Sequence, residues 1–178
     1  METRPTTPER PVWDVPLRVT HWVLALAITV AYFTANVLDA VHTAAGYLVL
    51  GLVAFRIVWG FAGTRYSRFS NSLRSPAAVL RYLRRLLRGH PGRYAGLNPA
   101  GGAMLIAMLA LAALSAVSGW MQLTVQFFGV WWVEAIHTWS SHMVAALAVV
   151  HVLAVVAVSV LQRENLARSM ITGRKRDR

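Results

Sequence analysis

The chain has 178 residues, of which 56% are hydrophobic and only 14% are charged, yet its net charge is +11. A globular domain in water usually spends about a quarter of its residues on charge, so this composition argues against an ordinary soluble domain. Seven Trp and no Cys exclude a disordered chain and a disulfide scaffold. The absence of Cys also excludes iron–sulfur clusters, thiolate zinc sites and covalently attached haem.

Four apolar stretches are long enough to cross a bilayer, because about 20 residues suffice for a membrane-spanning helix. They cover residues 17–38, 41–61, 100–121 and 134–161. A short link around Asp39, a polar loop over 63–99 and an aromatic link over 122–133 connect them. We therefore predict one all-α domain over residues 1–178, built as a four-transmembrane-helix bundle.

Within the polar loop, residues 76–88 have the pattern of an amphipathic helix opened by Ser75 and Pro76. Its predicted faces are an apolar one and a basic one, formed respectively by Val79, Leu80, Leu83, Leu86, Leu87 and by Arg81, Arg84, Arg85, Arg88. This pattern is typical of a helix that lies in the headgroup layer of an anionic membrane. We expect membrane lipid as its partner, and no nucleic acid.

All 18 Lys and Arg residues lie on one side of this arrangement. They occupy the N-terminal tail, the end of the second span at Arg56, the polar loop and the C-terminal tail, whereas the two opposite links carry only Asp39 and Glu134. Basic residues accumulate on the cytoplasmic side of membrane proteins. We therefore predict that both termini and the polar loop are cytoplasmic.

Four of the six histidines lie in or at the ends of the spans, where ionisable side chains are rare and usually functional. His21 lies near the inner end of the first span, and His42 opens the second span at its outer end. His137 and His151 of the fourth span are 14 residues apart, which is about 21 Å along a helix and within roughly 40° of whole turns. The levels therefore pair His21 with His151 and His42 with His137.

Each pair offers two imidazoles, which could ligate haem iron axially, bind zinc or copper, or carry protons. Zinc prefers three or four protein ligands, and only Asp39 or Glu134 could add a carboxylate, at the outer level alone. Proton relays usually include Asp or Glu inside the spans, and these spans hold none. Haem fits best because it brings four nitrogens of its own, and Gly46, one turn after His42, leaves space beside a flat ring.

Two histidines stand apart from the pairs. His142 lies five residues after His137, about 140° around the helix, so we do not expect it to share the face of the pairs or to ligate. His90 lies in the polar loop, where we expect it to be solvated.

Several motifs follow one another along the chain: W-D-V-P-L-R-V-T-H-W over 13–22, V-H-T-A-A-G-Y over 41–47, F-R-I-V-W-G-F over 55–61, N-P-A-G-G over 98–102, I-H-(x)13-H-V over 136–152 and R-E-N-L-A-R-S-M-I-T-G over 163–173. Their order and spacing resemble the bacterial di-haem cytochrome b561 family, which includes the b-type cytochrome subunit of nickel–iron hydrogenases. The resemblance extends from about Trp13 to the C-terminus.

The resemblance implies two non-covalent haems b, the inner one held by His21 and His151 and the outer one by His42 and His137. It also implies electron transfer in the bacterial inner membrane between ubiquinone, or another quinone, and a redox partner. A periplasmic c-type cytochrome with a basic rim would suit the mildly acidic outer links.

Three further residues are candidates to contact haem. Arg18 and Arg56, near the cytoplasmic ends of their spans, could pair with the propionates of the inner haem through charge-assisted hydrogen bonds. Snorkelling of both arginines towards lipid headgroups is the alternative. Gly46 is the candidate contact of the outer haem.

Two other functions stay open. A superoxide:quinone oxidoreductase would take electrons from superoxide at the outer haem, but its anionic substrate benefits from a positive funnel, and the outer links hold no Lys or Arg. A membrane anchor whose histidines bind a transition metal or carry protons is the third reading. Whether the protein is an enzyme therefore stays open.

Overall fold

The computed structural model describes residues 9–176, so residues 1–8 and 177–178 of the predicted domain lie outside the described residues. Four long helices form the bundle: α1 (Val15–Thr34), α2 (Asp39–Ala62), α5 (Pro99–Gln122) and α6 (Trp131–Gln162). The shorter elements are β1 (Glu9–Pro11), α3 (Phe69–Ser72), α4 (Pro76–Leu87), α7 (Leu166–Thr172) and β2 (Arg174–Arg176). By length and composition the four long helices could each cross a membrane, which confirms the all-α prediction with four spans.

Three helices begin with the same local signal, a polar capping residue followed by proline in the first turn. Asp14, Ser75 and Asn98 each accept a hydrogen bond from a backbone N–H three residues later, at the start of α1, α4 and α5. Such caps satisfy a donor that the helix leaves free, and proline fits the first turn because its missing N–H has no partner to lose.

Two span boundaries differ from the prediction by three residues or more, and the others differ by one or two. Helix α1 ends at Thr34, four residues before the predicted 38, because Asn36 adopts a left-handed conformation with φ 63° that a helix cannot continue through. Helix α6 begins at Trp131, three residues early, so that Trp131 and Trp132 belong to its first turn. At 32 residues α6 is about 48 Å long, more than the hydrocarbon core of a bilayer.

The long helices pack in the order α1 on α2, α2 on α5 and α5 on α6. A small buried core of mostly short side chains joins them, formed by Ala27, Val49, Val53, Phe69, Leu109, Ala112 and Val144. Large apolar side chains such as Leu26 and Val149 are instead 60% exposed or more. An apolar exterior of this kind suits a lipid surrounding.

Helix α4 is amphipathic as predicted, and its predicted apolar residues lie within about 120° of one another around the helix, but only one edge of this face packs against the protein. The side that packs against the protein carries Tyr82, which is 2% exposed, with Val79 and Leu86 partly buried. Leu80, Leu83 and Leu87 stay exposed. They follow at intervals of three and four residues, so they form the exposed edge of the same apolar face.

A clasp of short elements, which the sequence analysis does not predict, closes the basic end of the bundle. Strand β1 pairs antiparallel with β2, and the N–H groups of Val12 and Trp13 donate to the carbonyl of Gly173. The guanidinium of Arg18 donates to the carbonyl of Ile171 in α7. We use "the clasp" for β1, α7 and β2 together, and "inner" for this end of the bundle.

Asp14 connects α1 to the loop after α2. Its carboxylate accepts hydrogen bonds from the hydroxyls of Ser67 and Thr64, both at 2.5 Å, and from Nε1 of Trp59 at 3.2 Å. Burial alone raises the pKa of Asp14, but the hydrogen bonds from Ser67, Thr64, the Leu17 N–H and Trp59 outweigh it and lower the pKa below its ordinary value of 3.8. The carboxylate is therefore charged at neutral pH. Its hydrogen bonds connect the start of α1 to α2 and to the loop after α2.

Candidate functional site

The outer pair consists of His42, in the first turn of α2, and His137, in the second turn of α6. Their ring centroids are 6.1 Å apart, and the ring planes lie at 89°. Two imidazole nitrogens that face one metal ion, each about 2 Å from it, place the ring centres roughly 6 Å apart. The spacing therefore fits one metal ion between the two rings.

Each ring of the outer pair is held by a backbone carbonyl. Nδ1 of His42 donates to the carbonyl of Ala31 in α1, and Nδ1 of His137 donates to the carbonyl of Ser115 in α5, both at 2.8 Å. Histidines that bind metals almost always donate their other ring N–H in this way, which fixes the tautomer and the ring orientation. Because the hydrogen bonds use Nδ1, the Nε2 atom of each ring is left as a metal ligand.

A cavity of about 570 Å³ surrounds this pair, between α1, α2, α5 and α6. Gly46 and Gly119 both line it. A Cβ at Gly46 would meet nothing within 4 Å, so that a flat group has room there. A Cβ at Gly119 would lie 2.8 Å from Cε1 of His137, so only glycine lets this ring take its place.

Gly119 is a site residue that the sequence analysis missed. A glycine inside a helix costs about 1 kcal/mol relative to alanine, and it commonly has a packing reason. Its position within the apolar α5 was therefore a usable signal. The sequence could not indicate that Ala31 and Ser115 accept the hydrogen bonds of the two imidazoles, because every residue carries the same backbone carbonyl.

The inner pair consists of His21, in α1, and His151, in α6. Their ring centroids are 6.2 Å apart with the planes at 61°. The structure thus brings together both pairs that the sequence predicts, one at each of two levels of α6. Among residues 9–176 no group of three or more His, Cys, Asp or Glu could hold a metal ion, so each level offers two imidazoles rather than a zinc ligand set.

Two arginines near the inner end carry buried donors. Arg56 is 6% exposed, and its guanidinium lies over the ring of Phe69 at 5.0 Å. Nη1 of Arg56 and Nε of Arg18 are buried and have no hydrogen-bond partner among the described residues. A buried charged donor without a partner is costly, so these atoms fit an anionic group such as a carboxylate of a bound cofactor.

His142 lies where the sequence analysis did not expect it. The prediction placed it away from the face of the pairs, yet it lines the same outer cavity as His42 and His137. Its Nδ1 lies 3.0 Å from the hydroxyl of Tyr32 rather than beside the other imidazoles. His90 lies in the loop after α4, exposed as expected, with Nδ1 donating to the carbonyl of Arg88.

The sequence matches the profile of prokaryotic cytochrome b561 over residues 12–173. It is 25% identical to the probable Ni/Fe-hydrogenase B-type cytochrome subunit of Rhodobacter capsulatus, over 92% of this chain and 80% of that protein. Proteins of the same name from Bradyrhizobium diazoefficiens and Cupriavidus necator are 28% and 27% identical, over 94% and 91% of this chain and 86% and 85% of their own. No solved structure matches the chain significantly.

The profile covers nearly the whole described chain, and four apolar helices accompany it. The protein is thus a multi-pass membrane cytochrome of the b type that acts in electron transfer, and its family implies haem b. The residues of the outer level fit this cofactor, since two imidazoles with fixed Nδ1 atoms face each other across a cavity. The chain belongs to the prokaryotic cytochrome b561 family.

Proposed function

We propose that the protein holds two haems b and passes electrons between the quinone pool and a redox protein across the bacterial inner membrane. The observation that carries this proposal is the presence of two facing imidazole pairs at two levels of one helix, with ring centroids 6.1 and 6.2 Å apart. The 14 residues between His137 and His151 separate the two levels by about 21 Å along α6.

The residues have distinct roles in this proposal. Bound haem supplies a one-electron iron couple. His42 with His137 would hold one haem and His21 with His151 the other, and two imidazole ligands for each iron would favour electron transfer over oxygen binding. The free donors of Arg18 and Arg56 bind the propionates of the inner haem, and Gly46 leaves room for the edge of the outer one.

The outer links determine which redox protein can dock. They carry Asp39 and Glu134 and no Lys or Arg, so a basic surface is favoured. A periplasmic c-type cytochrome with a basic rim has such a surface. The names of the relatives suggest a Ni/Fe hydrogenase as another partner for the same face. In this orientation both termini and helix α4 are cytoplasmic, with α4 against anionic lipid.

Haem content tests the proposal. Purified protein should contain two haems per chain and show b-type bands in a reduced-minus-oxidised absorption spectrum. His42→Ala and His137→Ala should each leave one haem, and it should be the same haem in both variants. His21→Ala and His151→Ala should each leave only the outer haem, which His42 and His137 hold. His90, a histidine outside both pairs, provides the matched control. The His90→Ala variant should keep both haems.

Three results would contradict the proposal: a protein without haem, a single haem per chain, or loss of the same haem in His21→Ala and His42→Ala. The quinone is tested separately, because a short-chain ubiquinol should reduce the haems of the purified protein. Stopped-flow measurement of superoxide consumption with ubiquinone present decides whether the outer level also oxidises superoxide. The acidic outer links argue against that activity.

A further inference from the structure

Tyr32 and His142 form a pair that the proposed haem sites do not use. The hydroxyl of Tyr32 lies 3.0 Å from Nδ1 of His142, and the ring centroids are 5.7 Å apart with the planes at 79°. Tyr32 belongs to α1 and His142 to α6. Their hydrogen bond therefore spans two helices that do not pack closely against each other.

The pair lies beside the outer site and is open to its surroundings. Both side chains line the same cavity as His42 and His137. Tyr32 is 38% exposed, and His142 is also exposed. In the tautomer in which Nδ1–H of His142 donates to the hydroxyl of Tyr32, the Nε2 atom of this imidazole is free to bind a proton.

Other titratable groups line this cavity and face the same space. Helix α2 contributes His42 and Tyr47, and Asp39 stands at its first residue. Helix α6 contributes His137 besides His142, whereas the described residues of α5 that line the cavity include no titratable side chain. His42 and His137 each use Nδ1 on a carbonyl and Nε2 on the proposed iron, so neither has a nitrogen left for a proton. Among the histidines that line the cavity, His142 alone keeps one.

We propose that the Tyr32–His142 pair binds one proton when the outer haem is reduced and releases it when that haem is oxidised. This inference rests on the proposed function. An electron that enters a site of low dielectric adds a negative charge there, and a nearby positive charge offsets it. The redox protein or the inner haem supplies the electron, and the aqueous phase at the outer surface supplies the proton, which binds Nε2 of His142.

Tyr32 makes this proton uptake possible without rearrangement. Its hydroxyl oxygen accepts a hydrogen bond from Nδ1–H both when the imidazole is neutral and when it is charged. The hydrogen bond therefore holds the ring while Nε2 gains or loses its proton.

The midpoint potentials of the two haems, titrated from about pH 5 to about pH 8, test the proposal, since histidine titrates in this range. The outer potential should fall with a slope approaching about 59 mV for each tenfold decrease in proton concentration, the value for one proton per electron. His142→Gln should flatten this slope. Tyr32→Phe, which keeps the ring and removes the hydroxyl, should shift the pH range of the slope.

Two matched controls keep the test specific. Tyr47→Phe removes a hydroxyl from the same cavity, and His90→Gln removes an imidazole from the loop; both should keep the wild-type slope. An unchanged slope in His142→Gln with both haems present would overturn this inference and leave the proposed function intact. A purified wild-type protein without haem would instead refute the proposed function.

Discussion

The outer and inner histidine pairs have almost the same ring separation, but different parts of the protein hold them. At the outer level backbone carbonyls of Ala31 and Ser115 fix both imidazoles at 2.8 Å, in a cavity of about 570 Å³. At the inner level the rings meet at 6.2 Å, and the same end of the bundle carries two buried donor atoms, Nε of Arg18 and Nη1 of Arg56. One level is organised by backbone geometry, and the other lies at the end of the bundle that holds these cationic donors.

This difference indicates that the two levels respond to different kinds of substitution. A change of shape should affect the outer level most, because its ligands are positioned by close contacts. A change of charge should affect the inner level most, because the proposed function places the free cationic donors against the propionates of the inner haem. The predictions below test this distinction.

The largest effect is expected at Gly119. A Cβ there would lie 2.8 Å from Cε1 of His137, so Gly119→Val should displace this imidazole and remove most of the outer haem while the inner haem stays. Haem content and the reduced-minus-oxidised spectrum measure the result. Gly51→Ala is the control, since a Cβ at Gly51 meets nothing within 4 Å. Equal loss of both haems in Gly119→Val would contradict the distinction.

A smaller effect is expected for Arg56→Gln. Arg56→Gln removes a positive charge beside the proposed inner haem, so the inner midpoint potential should fall, because the oxidised haem carries one more positive charge than the reduced one. A unit charge about 10 Å away at an effective dielectric constant of about 20 contributes about 1.7 kcal/mol, or roughly 70 mV for one electron. Spectroelectrochemical titration measures both potentials. The outer potential should not change, and neither should the inner one in Arg84→Gln, on the exposed side of α4. A uniform shift of both haems would show that charge does not distinguish the levels.

The third prediction concerns the stability of the inner end and leaves both haem levels unchanged. Asp14→Asn should reduce the free energy of unfolding by about 1.5–3 kcal/mol at neutral pH, because the carboxylate accepts several hydrogen bonds. The folded-state pKa of Asp14 is below 3.8, so this stabilisation is complete above that pH and is lost as pH falls through the folded-state value. Thermal unfolding in detergent measures it.

Two comparisons sharpen the Asp14 prediction. The difference between wild type and Asp14→Asn should shrink in acid, where the wild-type carboxyl is also neutral. Glu134→Gln changes an exposed carboxylate in the first turn of α6 and should have a much smaller effect. If Glu134→Gln destabilised the protein as much as Asp14→Asn, the hydrogen bonds around Asp14 would not explain the effect.

The spans and the histidine pairs could be predicted from sequence because each depends on a regular spacing. Apolar runs locate the four helices to within a few residues, and the 14-residue interval from His137 to His151 returns both side chains to one direction. The structure brings the predicted partners together. Iron ligation by these residues stays a prediction, as does the cytoplasmic position of the termini.

Other features could not be predicted, for physical reasons that differ between them. Strands β1 and β2 have three residues each, which is too short for any alternation of side chains to be recognised. The acceptors of the outer histidines are backbone carbonyls, which no residue type marks. The amphipathic helix α4 could be predicted, but spacing alone did not indicate that Tyr82 would take the buried position against the protein.

Because one continuous helix, α6, carries a histidine of each level, its residue count is a constraint on the whole protein. Inserting one residue between His137 and His151 would turn one imidazole by about 100° relative to the other, and only one pair could still form. Insertion or deletion of seven residues would restore the direction but change the separation by about 10 Å. The number of residues over this interval is therefore constrained. The link between α4 and α5 is free of this constraint, because it does not set the spacing of the proposed ligands.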